Sequence, residues 1–230
     1  MRSIPMEEDD SMDDADDEGN LKMAVGATNT KKKMIYSRKI FAVVSVIFLI
    51  YAIGNMTLFI TPGVREFVQQ FKIFLYLCVP LPIISKILIS GVERVSHPPK
   101  LHLIIPVFLV HLLAIFLSAT TLSLTFDTEL VYFSCFIIFM NTGQLVFYTL
   151  QNYLVLTPLK MLILLIATSS LNSIFLQILL SIFVFPYFEV VTLSTIISFY
   201  IHFNNAFFMN HLSSCDWPVA TVWIFSRVPV

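Results

Sequence analysis

The side chains of this sequence best suited to acid–base or metal chemistry are five histidines: His97, His102, His111, His202 and His211. Their spacings fit no zinc motif. His111 and His202 stand out because each falls inside a long apolar run. There a lone imidazole reads as an interior hydrogen-bonding group and not as a ligand. The cysteines Cys78, Cys135 and Cys215 are odd in number and widely spaced. They make neither a disulfide framework nor a metal pattern, and they read as small apolar side chains. No Gly-rich phosphate loop, Ser-based elbow or nucleophile–base pair is present. The expectation is a protein that is not an enzyme and holds no cofactor or metal.

Polar stripes carry more information. At about 100° per helical residue, Ser134, Asn141, Gln144, Tyr148 and Gln151 share one face. His111, Ser118, Thr121 and Thr125 share another. Ser169, Ser173 and Gln177 step by four, and Thr195, Ser198, His202 and Asn205 line up in the last long run. Lipid tolerates such faces poorly, so they are expected to point inward. The candidate polar interior is therefore His111, Asn141, Gln144, Ser173, Gln177 and His202. One reading is polar glue between helices; the other is a hydrated path for an ion or proton. No carboxylate lies on any stripe, which favours glue.

The elements that must position these residues follow from composition. Of 230 residues, 57% are hydrophobic and 13% charged, with 22 Phe and a mean hydropathy of +0.83. A soluble domain of this size cannot hide so much apolar surface. A cytosolic enzyme, a secreted disulfide domain and a disordered chain are excluded. Six apolar runs follow: Ile40 to Thr61, Ile73 to Ser90, Leu101 to Leu124, Leu130 to Leu150, Met161 to Phe185 and Val190 to Met209. Each suits a hydrocarbon core that takes ~20 helical residues to cross. Trp217 to Val230, with two prolines and Arg227, is too short for an ordinary span. The expected fold is an all-α integral membrane protein with six full transmembrane helices and a short, partial seventh. Pro80, Pro82 and Pro106 are expected to kink their helices. Lys86, deep in the second run, is expected to snorkel toward the cytosolic side.

Charge marks the ends. Nine of 15 acidic residues lie between Glu7 and Glu18, and five of 14 basic residues between Lys31 and Lys39. Residues 1–35 read as a disordered tail, acidic and then basic, either a solvated leader or an interaction tail. Residues 36–230 read as the transmembrane domain. The N-terminal flank and the second and fourth connections hold eight bases, against two in the first, third and fifth. That asymmetry predicts a cytosolic N-terminus. The bilayer is the first expected partner, other membrane proteins a second, and nucleic acid is not one. Asn55-Met56-Thr57 is a formal glycosylation sequon, expected to go unused because it lies within the first span.

The string Ser37 to Gln70, SRKIFAVVSVIFLIYAIGNMTLFITPGVREFVQQ, resembles the opening of the Lifeguard branch of the Bax inhibitor-1 family. That opening has an Arg-Lys-aromatic start, here Arg38, Lys39 and Phe41. A Pro-x-Val-basic-acidic-aromatic-Val-Gln turn follows the span, here Pro62, Val64, Arg65, Glu66, Phe67, Val68 and Gln69. VFYTLQNYLVLT, Val146 to Thr157, is similar to the family's connection after its fourth span. The resemblance implies a multispan protein of the endoplasmic reticulum, Golgi or related membranes that regulates apoptosis, with calcium homeostasis involved. In the family a calcium leak is attributed to two Asp residues near the C-terminus. The matching run here is Asn204-Asn205-Ala206-Phe207-Phe208-Met209, and the second register position is Arg227. Asn204, Asn205 and Arg227 are thus candidate degenerate pore positions without a carboxylate. By helical angle Asn205 lies on the last polar stripe and Asn204 faces away from it. The favoured expectation is modulation of cell death or calcium and stress homeostasis by interaction. The alternative is a calcium leak or ion-handling protein.

Overall fold

A computed structural model describes residues 30–95, 101–151, 158–180, 187–212 and 216–226. Among these the secondary structure is helical throughout, without strands. In chain order the helices are α1 (Thr30–Ile60), α2 (Val64–Gln70), α3 (Ile73–Cys78), α4 (Leu81–Val95), α5 (Leu101–Thr125), α6 (Leu130–Tyr148), α7 (Pro158–Leu180), α8 (Tyr187–Met209) and α9 (Trp217–Ser226). A 3₁₀ turn, Thr149–Gln151, ends α6. Five stretches are long and apolar enough to cross a membrane: α1, α3 with α4, α5, α6 and α7. Most of the expected tail, residues 1–29, lies outside the described residues. Its basic cluster does not, because α1 takes in Lys31 to Lys39.

Proline and glycine set the breaks. Pro80 sits where α3 stops, and Pro82 stands in the first turn of α4, where a missing N–H costs nothing. The second apolar run is therefore two helices. Pro106 lies inside α5 without ending it. Gly63 adopts φ 82° between α1 and α2, a left-handed conformation that a side chain would strain. Asp127, at φ 51°, makes the matching reversal between α5 and α6.

The central helix is α6. It packs most extensively on α1 and also touches α5, α7 and α8. Nine of its residues are buried, among them Phe133, Ile137 and Ile138. By contrast α4 turns Ile83, Ile84, Ile87 and Leu88 outward, and α7 exposes Ile163, Ile166, Leu171, Ile174, Phe175 and Ile178. This is the arrangement lipid demands: apolar everywhere, with polar groups inside. Side-chain pairs fix the directions. Ser45 with Phe139 and Arg38 with Thr149 make α1 and α6 antiparallel. Asn55 with Thr120 and Tyr51 with Leu112 make α1 and α5 parallel. The close approach of α1 to α5 needs Gly54, where a Cβ would stand 2.9 Å from the Phe116 ring.

Candidate functional site

Asn141 on α6 is the hub of a three-helix polar network. Its Nδ2 donates to Ser169 Oγ on α7 at 2.8 Å and to Ser198 Oγ on α8 at 3.2 Å. Its Oδ1 accepts from Asn172 Nδ2 at 3.0 Å, and Asn172 Oδ1 accepts from Gln144 Nε2 at 3.3 Å. Asn141, Ser169, Asn172 and Ser198 are all buried. The side chains are neutral and both amide hydrogens of Asn141 are used, so the network ties helices together and offers no group that titrates near neutrality. Gln144 differs from the expected interior position: its side chain is exposed at the edge of the α6–α7 contact. The stripe drifts because α6 is wrapped on most sides and only a narrow strip opens outward. Beside it lies a cavity of about 320 Å³ bordered by Asn141, Gln144, Leu145, Phe147, Leu164 and Thr168.

His111 links three helices at a second point. Its Nδ1 lies 2.7 Å from Ser85 Oγ on α4, and its Nε2 lies 3.2 Å from the carbonyl oxygen of Phe225 on α9. A neutral ring protonated on Nε2 satisfies both when Ser85 turns its single hydroxyl proton to Nδ1 and away from the Leu81 carbonyl, which lies 2.9 Å from the same oxygen. Histidine and serine are both buried. This is a staple for α9, as an interior imidazole is expected to be.

A third polar region lies where α8 meets the start of α1. Asn205 Nδ2 donates to Ser37 Oγ at 2.9 Å, and Ser37 Oγ donates to Met209 Sδ at 3.4 Å. Asn204 Nδ2 donates back to its own helix at the Tyr200 carbonyl, 2.8 Å away. Both asparagines are buried, so the expected turning away of Asn204 does not take it out of the interior. His202 is half-buried and stacks on Phe41 with ring centroids 6.2 Å apart. Tyr36 Oη, His202 Nδ1, Asn204 Oδ1 and Asn205 Oδ1 are buried without a hydrogen-bond partner. Arg227 lies outside the described residues, so of the three candidate pore positions the structure describes Asn204 and Asn205, which are neighbours in the chain.

Ser173 is fully buried and Gln177 half-buried. The Ser134, Ser173 and Thr195 hydroxyls, one each from α6, α7 and α8, also lack partners. Sequence reasoning missed Asn172, one position off the Ser169–Ser173 stripe, and Ser85, which reads as a small residue in a lipid-facing run. It also missed the Asn55–Thr120 pair. Asn55 stood out only as a sequon, yet it receives the Thr120 hydroxyl at 2.7 Å and donates to the Tyr51 carbonyl at 2.8 Å. An amide inside a span was the available signal at both asparagines. Among the described residues, no cluster of three His, Cys, Asp or Glu is placed to hold a metal ion.

No protein-family model, no curated protein and no solved structure matches this chain.

Proposed function

We propose that this chain is a multi-pass membrane protein of the Bax inhibitor-1, Lifeguard type. It would modulate cell death or calcium and stress homeostasis by binding other membrane proteins. The reading takes six full spans, α1, α3 with α4, α5, α6, α7 and α8, with α9 as a short seventh and a cytosolic N-terminus. It places the protein in the endoplasmic reticulum, Golgi or a related membrane. Support for the family comes from Arg38-Lys39-x-Phe41 and from Pro62 to Gln69. Support for interaction over conduction comes from one observation: the buried polar residues are amides, hydroxyls and an imidazole. No Asp or Glu is buried among the residues whose burial is described. A dehydrated divalent cation needs several oxygens, usually with carboxylates among them. Neutral amides at Asn204 and Asn205 supply no compensating charge.

A second reading, an ion-handling protein, rests on the unpartnered oxygens of Tyr36, Asn204 and Asn205. Calcium flux in proteoliposomes, at acidic and at alkaline pH against empty vesicles, separates the two. The interaction reading expects no flux above the empty vesicles. Flux above that control, abolished by Asn204→Leu, would replace it with the channel reading.

A further inference from the structure

The cavity between α6 and α7 is lined by polar side chains, Asn141, Gln144, Tyr148 and Thr168, and by apolar ones, among them Leu145, Phe147 and Leu164. Asn141 is saturated by its network, and Thr168 Oγ1 donates to the Leu165 carbonyl at 3.2 Å. Gln144 is not saturated. One N–H reaches Asn172, and its second N–H and its carbonyl oxygen have no partner among the described residues. Its side chain is exposed, one of two on α6 with that of Phe147. Phe147, 71% exposed, and Leu164, 38% exposed, flank it at the mouth. The opening therefore faces the surroundings of the bundle, which for these helices is the bilayer.

Depth constrains the occupant. Gln144 lies four residues before Tyr148, the last residue of α6, or about 6 Å along the axis. On α7 the exposed Lys160 precedes Leu164 by one turn and Thr168 by two. The amide thus sits just beneath the polar boundary, where the head of an amphiphile lies. Charge narrows the class. No lining residue is ionised, and Lys160 is not among them, so a carboxylate, phosphate or ammonium head drawn into the cavity would lose its hydration without a counter-charge in the lining. Hydrogen bonding narrows it further. The free groups of Gln144 are one donor and one acceptor, and a hydroxyl satisfies both at once, whereas an ester carbonyl satisfies only the donor. The apolar wall and a volume of about 320 Å³ suit a compact body. A rigid one loses less conformational entropy on binding than an acyl chain.

We propose that the α6–α7 groove binds a neutral lipid with a single hydroxyl head on a rigid apolar body, the sterol class, with Gln144 as its hydrogen-bonding partner. The test uses the full chain in lipid nanodiscs and a photoactivatable sterol bearing a free hydroxyl. Cross-links are mapped by mass spectrometry. Labelling is expected to concentrate between Asn141 and Thr168 and to be displaced by unlabelled sterol, but not by its methyl ether. Gln144→Leu is expected to reduce it about tenfold, as loss of a paired hydrogen bond implies. Because Gln144 is exposed, this variant should fold, and its thermal unfolding is recorded alongside. Gln144→Asn, which keeps the amide, is expected to retain part of the labelling. The proposal is overturned by labelling spread over α4 and α7 alike, by equal labelling of Gln144→Leu, by equal competition from the ether, or by displacement with diacylglycerol and not with sterol.

Discussion

The guanidinium of Arg38 donates through Nη2 to the carbonyl oxygen of Thr149 at 2.8 Å, while its Nε lies 3.4 Å from the Oγ1 of the same residue. The two are 111 positions apart. The contact caps the end of α6, where carbonyls run out of helical partners, with a cation at the negative end of the helix. At the opposite end of the bundle Arg65 pairs with Asp127 at 2.7 Å, and Gln69 Nε2 donates to the Leu124 carbonyl at 3.1 Å. Arg38 lies within α1, and Arg65 lies in α2, just beyond the other end of that helix.

Removing the first cap is expected to weaken the fold. Arg38→Ala should lower stability by about 1.5–3 kcal/mol, the range for a hydrogen bond to a charged group. Arg38→Lys should recover only part of it, since an ammonium cannot present two donors in a fixed plane. Thermal unfolding in detergent, compared across the three proteins, measures both. Equal midpoints would show that the cap is replaced by water.

The two ends should lie on opposite sides of the membrane. Asp127 and Leu150 are exposed at opposite ends of α6. In a background without native thiols, Asp127→Cys and Leu150→Cys should react with an impermeant maleimide from opposite faces of sealed vesicles. Leu150→Cys is expected on the cytosolic face, by the distribution of bases. Labelling of both from one face would refute the arrangement.

Asn141→Leu should be the more damaging of two amide substitutions in α6. It deletes three hydrogen bonds, at roughly 0.6 kcal/mol each for helices in a membrane, giving a loss of about 2 kcal/mol. Gln144→Leu removes one bond at 3.3 Å from an exposed side chain and should shift stability by less than about 0.5 kcal/mol. A reversed order would place the structural hub at Gln144 and remove the reason for its free groups.

The sequon at Asn55 should stay unmodified. Asn55 is 2% exposed, in the interior of α1, with both ends of its amide engaged. Treatment of protein made in a secretory-pathway host with an N-glycosidase should produce no gel shift. Thr120→Val should lower the unfolding midpoint, because it leaves Asn55 Oδ1 buried without its donor.

The sequence by itself determined the class of structure. Apolar runs with few charges have no stable state but helices when lipid surrounds them, because every backbone group must pair within its own segment. It also placed most of the interior. Asn141, Ser169, Ser173, Ser198, His111 and Asn205 fall on polar stripes, and all are buried. That worked because lipid penalises an outward amide or imidazole whatever the neighbours are.

Tertiary structure decided what periodicity cannot encode. The angle between Asn204 and Asn205 is fixed by the helix, but both are buried because α8 is covered on more than one face. Gln144 shares a stripe with Asn141 and is exposed, because the outward strip of α6 depends on where α7 leaves a gap. Ser85 and Asn172 took their roles from partners on other helices, His111 and Asn141. The second apolar run became two helices, α3 and α4, at Pro80. A polar side chain in a span must find a partner, and a sequence shows that requirement. Which helix supplies the partner depends on packing between segments far apart in the chain, and that arises only when the bundle closes.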